Sequence, residues 1–299
     1  APGSEPGQPG DAFDLGQQEL PLAPSGWELV WADEFNGPAG SGPDASKWQL
    51  EVGGSGFGNN EREFYTARAE NVSMDGRGSL AITARRETVP GSSCWYGTCQ
   101  YSSGRMNTAG KVTLQYGRVE ARIKVPAGAG TWPAFWMLGA DLGSAGWPAC
   151  GEIDVMEVVG QTPSTAYGTL HGPGYSGGNG VSAGHTLANA ARFADGFHEF
   201  AVEWEASVVR FYVDGQLYAT RTPNDTRGGR WVFDHPFFLI LNLAIGGNWP
   251  GDPNAATPFP AQMLVDYVRI YRRGTPPPPG SGQGSIVAEY WDGLDESTQ

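Results

Sequence analysis

Residues 117–125 read Gly-Arg-Val-Glu-Ala-Arg-Ile-Lys-Val, a regular alternation of apolar and charged side chains. Successive side chains of a β-strand point to opposite faces of a sheet, so this stretch predicts a strand with one apolar and one charged face. Residues 79–85 and 198–205 alternate in the same way. Asp214-Gly215 lies between two further alternating runs, which is the usual signal of a tight β-hairpin. We therefore expect a fold built from antiparallel strands.

The composition of the 299 residues agrees with an all-β protein. Gly (45) and Pro (23), which both interrupt helices, make up almost a quarter of the chain, and the sequence shows no convincing amphipathic helix. About a dozen short strands separated by turns, with no repeat of fixed period, predict an antiparallel β-sandwich of the jelly-roll type rather than a propeller. Residues 237–245 are almost continuously apolar, which is typical of a strand buried on both faces.

Shifts in composition divide the chain into four parts. We predict an N-terminal tail over residues 1–24, a β-jelly-roll domain over 25–273, a Pro/Gly-rich linker over 274–285, and the start of a truncated C-terminal module, or a second tail, over 286–299. The first residues resemble the new N-terminus that remains after removal of a signal peptide, so we expect a secreted, extracellular protein. Cys94 and Cys99 are placed to close a short disulfide loop, with two free thiols as the alternative.

The net charge excludes some partners. With 19 basic and 32 acidic residues the formal charge is −13, which argues against binding nucleic acid or an anionic membrane through phosphate contacts. No stretch approaches the roughly 18 consecutive apolar residues that a membrane span needs.

Three acidic residues, Glu152, Asp154 and Glu157, stand out within the sequence Gly-Glu-Ile-Asp-Val-Met-Glu-Val-Val-Gly. The apolar residues between them predict a half-buried strand. A half-buried strand that holds several carboxylates is costly, because the charges repel one another and lose water. A solvated acidic face is the alternative, but carboxylates in such surroundings are typical of active sites.

The spacing of the two glutamates predicts a β-bulge. Glu152 and Asp154 share one face of a regular strand, whereas Glu157, five positions after Glu152, would point to the other face. One extra residue at Val155 or Met156 would return Glu157 to the face of Glu152. Two carboxyl groups on either side of one glycosidic bond are the usual equipment of a glycosidase, so we predict glycoside hydrolysis.

Side chains suited to a neutral polysaccharide occur around this strand. Aromatic rings match the C–H faces of sugars, and amide and guanidinium groups match their hydroxyls. Trp132 and Trp136 lie four residues apart and would share a strand face. For each Trp the alternative is core packing, and for Arg105 it is a structural ion pair. The candidates for substrate binding are Asn60, Glu61, Arg105, Trp132, Trp136, Asn242 and Trp249.

Glu152-Ile-Asp-Val-Met-Glu157, with Trp132-Pro-Ala-Phe-Trp136 ahead of it, resembles glycoside hydrolase family 16, and within that family the bacterial endo-β-1,3-glucanases, or laminarinases. The extra residue, Met156, fits the bulged motif of the laminarinases rather than the shorter motif of the lichenases. Further resemblance lies in residues 29–36, 58–61, 247–249 and 265–271, so that it covers the catalytic domain predicted over residues 25–273.

The resemblance implies a jelly roll with a concave substrate cleft and endo-acting hydrolysis of β-1,3-glucan with retention of anomeric configuration. Glu152 would be the nucleophile and Glu157 the general acid/base, with Asp154 between them. His171, at the end of the next predicted strand, is expected beside Glu157 and is added to the substrate-site residues.

The resemblance implies no catalytic cofactor, but members of the family often bind one structural calcium. Its expected oxygen ligands here are Glu34, the Gly78 carbonyl and Asp266. We expect a monomer whose partner is β-1,3-glucan. Two alternatives remain: a non-catalytic β-glucan-binding protein on the same fold, or a family-16 hydrolase for another neutral polysaccharide, such as mixed-linkage glucan or agarose.

Overall fold

The computed structural model describes residues 23–274 and consists of two β-sheets packed face to face. Most of the predicted tail, and nearly all of the predicted linker and C-terminal module, lie outside the described residues. The strands in chain order are β1 (Trp27–Asp33), β2 (Gln49–Leu50), β3 (Glu63–Tyr65), β4 (Val72–Met74), β5 (Leu80–Arg86), β6 (Tyr101–Ser103), β7 (Arg105–Asn107), β8 (Gly117–Lys124), β9 (Thr131–Gly139), β10 (Glu152–Glu157), β11 (Thr165–His171), β12 (Val181–Thr186), β13 (His198–Glu205), β14 (Val208–Val213), β15 (Gln216–Arg221), β16 (Phe237–Ile245) and β17 (Ala261–Arg273).

Helical structure within these residues is limited to short turns. The α-helix α1 (Leu142–Ala145) is a single turn, and the 3-10 turns are Gly177–Asn179, Ala188–Ala190 and Pro223–Thr226. None of these helices is long enough to cross a membrane. The prediction of an all-β chain is confirmed.

The two sheets differ in size. One has the strand order β15-β14-β13-β8-β17-β5-β6-β3, with β1 also paired to β17 and β4 to β5. The other has the order β12-β11-β10-β9-β16-β7-β2. All pairs are antiparallel except β3 with β6, which run parallel because the chain passes through β4 and β5 before it returns. The predicted antiparallel sandwich is confirmed, with this one parallel pair.

The apolar faces of the predicted strands meet between the sheets. Val119, Ala121 and Ile123 of β8 are fully buried, as their alternation predicted. Trp204 of β13 contacts Phe237 of β16 edge to face, with ring centroids 5.0 Å apart, and so joins the two sheets. All nine residues of β16 are buried, which confirms a strand covered on both sides.

The charged face of β8 is less exposed than its alternation suggested. Arg118 is only 5 % exposed. Its guanidinium lies 2.8 Å from Glu120, 3.1 Å from Glu199 and 3.3 Å from Glu203. Two of these partners come from the neighbouring strand β13, so a charge that appeared solvated in the sequence is held in a buried network.

Two local predictions concern loops. Asp214 and Gly215 join β14 to β15 with φ angles of 50° and 75°, the positive values that a tight hairpin with this dipeptide needs. Cys94 and Cys99 form a disulfide, so the disulfide alternative is the correct one.

Candidate active site

The bulge in β10 is present, and it places the three acids on one side of the sheet. On the β9 side, Asp154 pairs with Trp136 and Met156 with Phe135, so Val155 has no partner. The β11 side shows the same shift between Asp154 and Glu157. The apolar residues of β10 enter the core between the sheets, which leaves the acids on the other side. We call that side of the seven-stranded sheet, turned away from the larger sheet, the open face.

Glu152 lies between an indole and an imidazole. Trp147 Nε1 donates a hydrogen bond of 2.6 Å to Glu152 Oε2. His171 pairs with Glu152 across the strands, and its Nε2 lies 3.8 Å from Glu152 Oε1 and 3.1 Å from Asp154 Oδ2. The register of β10 and β11 sets His171 opposite Glu152 rather than Glu157. Its charge nevertheless lowers the pKa of Glu157, so His171 acts on both glutamates.

Glu157 lies among aromatic side chains. Trp132 Nε1 donates a hydrogen bond of 3.0 Å to Glu157 Oε1. The Trp249 ring meets Trp132 edge to face at 5.7 Å and Tyr167 at 5.1 Å. Tyr167 is also the residue that pairs with Glu157 on β11. The structure therefore brings Trp132 and Trp249 together at the acid, as the sequence predicted for a sugar site.

The surroundings of the three carboxyl groups raise the pKa of each. Burial, followed by the charge of Asp154, raises the pKa of Glu152 well above its usual range, while His171 and Trp147 act in the opposite direction. Burial and the charge of Glu157 raise the pKa of Asp154 in the same way. Burial and the charge of Glu152 raise the pKa of Glu157 to about 7. These groups titrate together, so one of them can donate a proton near neutral pH while another is ionised.

A hydrogen-bond chain leads inward from Trp136. Trp136 Nε1 donates to Asn242 Oδ1 at 2.7 Å, and Asn242 Nδ2 donates to the Tyr65 hydroxyl at 3.1 Å. That hydroxyl donates to Glu61 Oε2 at 3.1 Å, and Asn59 donates to the other oxygen of Glu61. Glu61 is only 3 % exposed, so it supports the side chains above it and does not present its carboxylate on the open face.

Arg105 is both a site residue and an ion-pair partner. Its guanidinium lies over the rings of Trp136, at 5.0 Å, and Phe57, at 4.8 Å. Its Nε lies 2.8 Å from Glu51 Oε2, so the structural alternative is also correct. Asn60 lies apart from this group and donates to Asn248 Oδ1, one residue before Trp249.

Comparison with known proteins agrees with this geometry. Residues 59–269 match the model of a family described as glycosyl hydrolases family 16. The chain belongs to glycosyl hydrolase family 16. A beta-glucanase of Rhodothermus marinus is 44 % identical, in an alignment that covers 86 % of this chain and 89 % of that protein.

Solved structures of family 16 share the jelly-roll fold. The laminarinase catalytic domain of Thermotoga maritima MSB8 is 46 % identical, with a TM-score of 0.77 over 83 % of this chain and 99 % of that one. The endo-beta-1,3-glucanase of Pyrococcus furiosus is 45 % identical, with a TM-score of 0.78 over 84 % of this chain and 96 % of that one. The predicted jelly roll and the family resemblance are confirmed, whereas the roles of individual residues stay predictions.

Several residues of this family-16 site were missed in the sequence. Trp147 contacts Glu152 from a loop, five residues before it, and a further Trp so close to the acid strand was a usable signal. Phe57 reaches the site because of the conformation of its loop, and Tyr167 because of the register of β11 on β10. A single sequence shows neither. Glu51 appears only as the partner of Arg105.

One cluster could bind a metal ion. The ligand atoms of Glu152, Asp154 and His171 all lie within 4.8 Å of one another. A cation there would neutralise the carboxylates that the family-16 reaction needs, so we assign no metal to this cluster.

The predicted calcium ligands lie on or next to strands of the larger sheet: Asp266 is in β17, Glu34 directly follows β1, and Gly78 lies two residues before β5. Glu34 accepts two hydrogen bonds of 2.8 Å from Arg269, and Asp266 accepts one of 2.6 Å from Arg122. A calcium ion would have to displace an arginine from each carboxylate, so the side chains fit two ion pairs better than a cation site. Gly78 has a positive φ of 89°. Calcium binding stays a prediction.

Proposed function

We propose that this family-16 chain is an endo-acting β-1,3-glucanase that cleaves laminarin-like glucans with retention of anomeric configuration. The bulge in β10 is the observation that carries the proposal, because it brings Glu152 and Glu157 to one face of the sheet. The names of the relatives, among them two laminarinase or endo-β-1,3-glucanase structures, support β-1,3-glucan as the substrate.

The proposed reaction has two displacement steps. In the first, Glu152 attacks the anomeric carbon, and Glu157 donates its proton to the departing glycosidic oxygen. In the second, water attacks the glycosyl-enzyme and Glu157 takes a proton from that water. Trp147 holds the attacking carboxylate through its N–H, and His171 lies against Asp154 and Glu152. A pKa of about 7 lets Glu157 start the cycle protonated at mildly acidic pH.

The open face suits an uncharged glucan. Trp132, Trp136 and Trp249 provide rings for the C–H faces of glucose, and Asn242 and Arg105 lie beside them. The net charge of −13 would repel a sulfated polymer.

Secretion and the monomeric state are part of the same proposal. The Cys94–Cys99 disulfide supports secretion, because disulfides persist in oxidising compartments. A single chain supplies every group named above, which supports action as a monomer. The formal charge of −13 argues against binding to nucleic acid or an anionic membrane.

The decisive experiment compares release of reducing ends from laminarin, lichenan and agarose by the parent protein. We expect laminarin to be cleaved fastest. Faster cleavage of lichenan or agarose would favour a different family-16 substrate. Glu152→Gln and Glu157→Gln serve as matched controls and should remain folded but inactive. Activity of either variant within about tenfold of the parent would exclude the two-glutamate mechanism. No release by the parent from any substrate would favour a glucan-binding protein.

A further inference from the structure

One exposed aromatic side chain, Trp95, has no part in the proposed reaction. Among the described residues, the large apolar side chains that are 40 to 61 % exposed are Val30, Val52, Trp95, Trp147, Leu217 and Trp249. Trp147 contacts Glu152, and Trp249 contacts Trp132. These two exposed rings therefore belong to the candidate active site already described. Trp95 lies against the chain segment that begins at Gly54, since its backbone N–H donates to the Gly54 carbonyl.

Trp95 is held in a fixed position at both its backbone and its ring. It lies within the loop that the Cys94–Cys99 disulfide closes, and its backbone N–H donates to Gly54 at 2.9 Å. The indole Nε1 donates to the backbone carbonyl of Glu61 at 2.7 Å. A Cβ atom on Gly56 would lie 2.7 Å from the indole, so the ring also packs directly on this glycine. Even so, 47 % of Trp95 remains exposed.

A charged side chain, Arg62, also contacts the indole. The Arg62 guanidinium lies 5.3 Å from the centre of the Trp95 ring, and two hydrogen bonds of 3.0 Å to Asp252 fix the guanidinium in turn. Tyr96 meets Trp95 edge to face at 5.4 Å. An exposed ring that is immobilised before binding loses little conformational entropy when a ligand stacks on it.

The segment on which Trp95 packs also belongs to the proposed substrate site. Gly56, against which the indole packs, is followed by Phe57, whose ring lies 4.8 Å from the Arg105 guanidinium. Arg105 in turn lies over Trp136. An unbroken series of contacts therefore leads from the catalytic strand, through Trp136, Arg105 and Phe57, to Trp95.

We propose that Trp95 is a further sugar-binding position of the same site, which stacks on a glucosyl unit of β-1,3-glucan beyond those next to the catalytic acids. The indole face matches the C–H face of a glucose ring, and no charge is required of the ligand. This inference rests on the proposed β-1,3-glucanase function. It predicts that long chains are better substrates than short ones, in part because of Trp95.

The test is the dependence of kcat/KM on chain length, from laminaritriose to laminarioctaose and laminarin. Parent, Trp95→Ala, Trp95→Phe and Leu217→Ala are compared, the last being a matched loss of an exposed apolar side chain on β15. We expect the ratio of kcat/KM for laminarioctaose over laminaritriose to fall about tenfold in Trp95→Ala, mainly through KM, since tenfold corresponds to one modest contact. Trp95→Phe keeps a ring and should lose less, and Leu217→Ala should keep the parental ratio.

The outcomes separate this inference from the proposed function. If the parent cleaves the oligosaccharides and Trp95→Ala keeps the parental ratio, the sugar-binding position is excluded and the β-1,3-glucanase function stands. If the parent cleaves none of them, the proposed function fails and the inference fails with it. Should Trp95→Ala not fold, Trp95→Phe decides: a ratio below that of Leu217→Ala supports the sugar-binding position, and a ratio no lower than that of Leu217→Ala overturns it.

Discussion

Trp132 Nε1 donates a hydrogen bond of 3.0 Å to Oε1 of Glu157, the predicted general acid/base. A donor favours the ionised form of the carboxyl group that accepts from it, so this bond lowers the pKa of Glu157. Burial and the charge of Glu152 act more strongly in the opposite direction and bring that pKa to about 7. The indole of Trp132 therefore limits the rise in the pKa of Glu157, and its ring can also stack on a sugar.

Replacement of Trp132 by Phe should shift the alkaline limb of the pH–activity profile to higher pH. The variant keeps an aromatic ring but loses the donor, so the pKa of Glu157 rises and the group stays protonated to higher pH. The measurement is kcat/KM for laminarin as a function of pH. Trp136→Phe is the control, because the N–H of Trp136 donates to Asn242 and not to an acid. An alkaline limb that stays in place or moves to lower pH in Trp132→Phe would contradict the assignment.

Rescue by azide should separate the two glutamates. With an aryl β-laminaribioside, Glu152→Ala lacks the nucleophile, so azide attacks the anomeric carbon directly and gives an inverted glycosyl azide. Glu157→Ala still forms the glycosyl-enzyme when the leaving group needs no proton, and azide then gives a retained product. The configuration of each azide is read by NMR. The reverse pair of products would exchange the roles of the two residues.

Deletion of Val155 should damage the rate more than the fold of the sheet. Val155 is the residue without a partner on β9, and its loss gives the acids the even spacing of an unbulged strand. The three carboxyl groups would still share the open face, but Glu157 would be displaced, and a displacement of about 1 Å can cost about a hundredfold in rate. Circular dichroism checks the fold and laminarin cleavage the rate. A parental rate in the folded deletion variant would show that the bulge has no bearing on catalysis.

Ionisation of Glu157 should lower the stability of the folded protein as the pH rises. When folding raises the pKa of a carboxyl group, that group does not reduce the free energy of unfolding at any pH below its unfolded pKa. The free energy of unfolding then falls as the pH rises from the unfolded pKa to the folded pKa, because the unfolded state ionises first. For Glu157 the window runs from 4.5 to about 7. Glu157→Gln cannot ionise, so its Tm should exceed that of the parent above this window, by the equivalent of at most about 3 kcal/mol, and match it below.

Thermal unfolding across this pH range measures the effect. Glu28→Gln, at an exposed position on β1, should follow the parent at every pH. A Glu157→Gln variant that is less stable than the parent at alkaline pH would show that ionised Glu157 does not destabilise the fold.

Calcium, predicted from the family resemblance, should reveal itself in the Tm. If Glu34 and Asp266 release their arginines to an ion, calcium stabilises the native state by about 3 kcal/mol at about a hundred times Kd, and a chelator reverses the gain. Asp266→Asn should abolish the response, while the rate on laminarin at 25 °C should not depend on calcium. Equal Tm values with calcium and with chelator would exclude the site.

The features that the sequence predicted correctly depend on local geometry. The parity of positions 152 and 157 requires a bulge, and the spacing of Trp132 and Trp136 requires a common face, because strand side chains alternate over any few residues. The Asp214-Gly215 hairpin is local for the same reason. Within the described residues these patterns were enough to define the acid strand and the shared face of Trp132 and Trp136, but not the contacts of Trp147 and Tyr167 with the acid strand.

The features that were missed depend on contacts between distant segments. His171 faces Glu152 because of the register of β11 on β10, which a single sequence does not encode. Glu61 turns inward because Tyr65 and Asn59 bind its carboxylate. Arg118 is buried because β13 supplies acids from about eighty positions further along the chain.

The strand that carries the acids has hydrogen-bonded neighbours on both sides, β9 and β11, whereas Trp95, Phe57, Trp147 and Trp249 come from loops. Loops tolerate insertion and deletion far better than interior strands do. Some of the proposed sugar contacts are therefore carried by segments that can change independently of the strand with the acids, whereas Trp132 and Trp136 lie on β9 beside it. Exchange of these loops, with β9 and β10 left unchanged, is the direct route to a variant with an altered range of glucans.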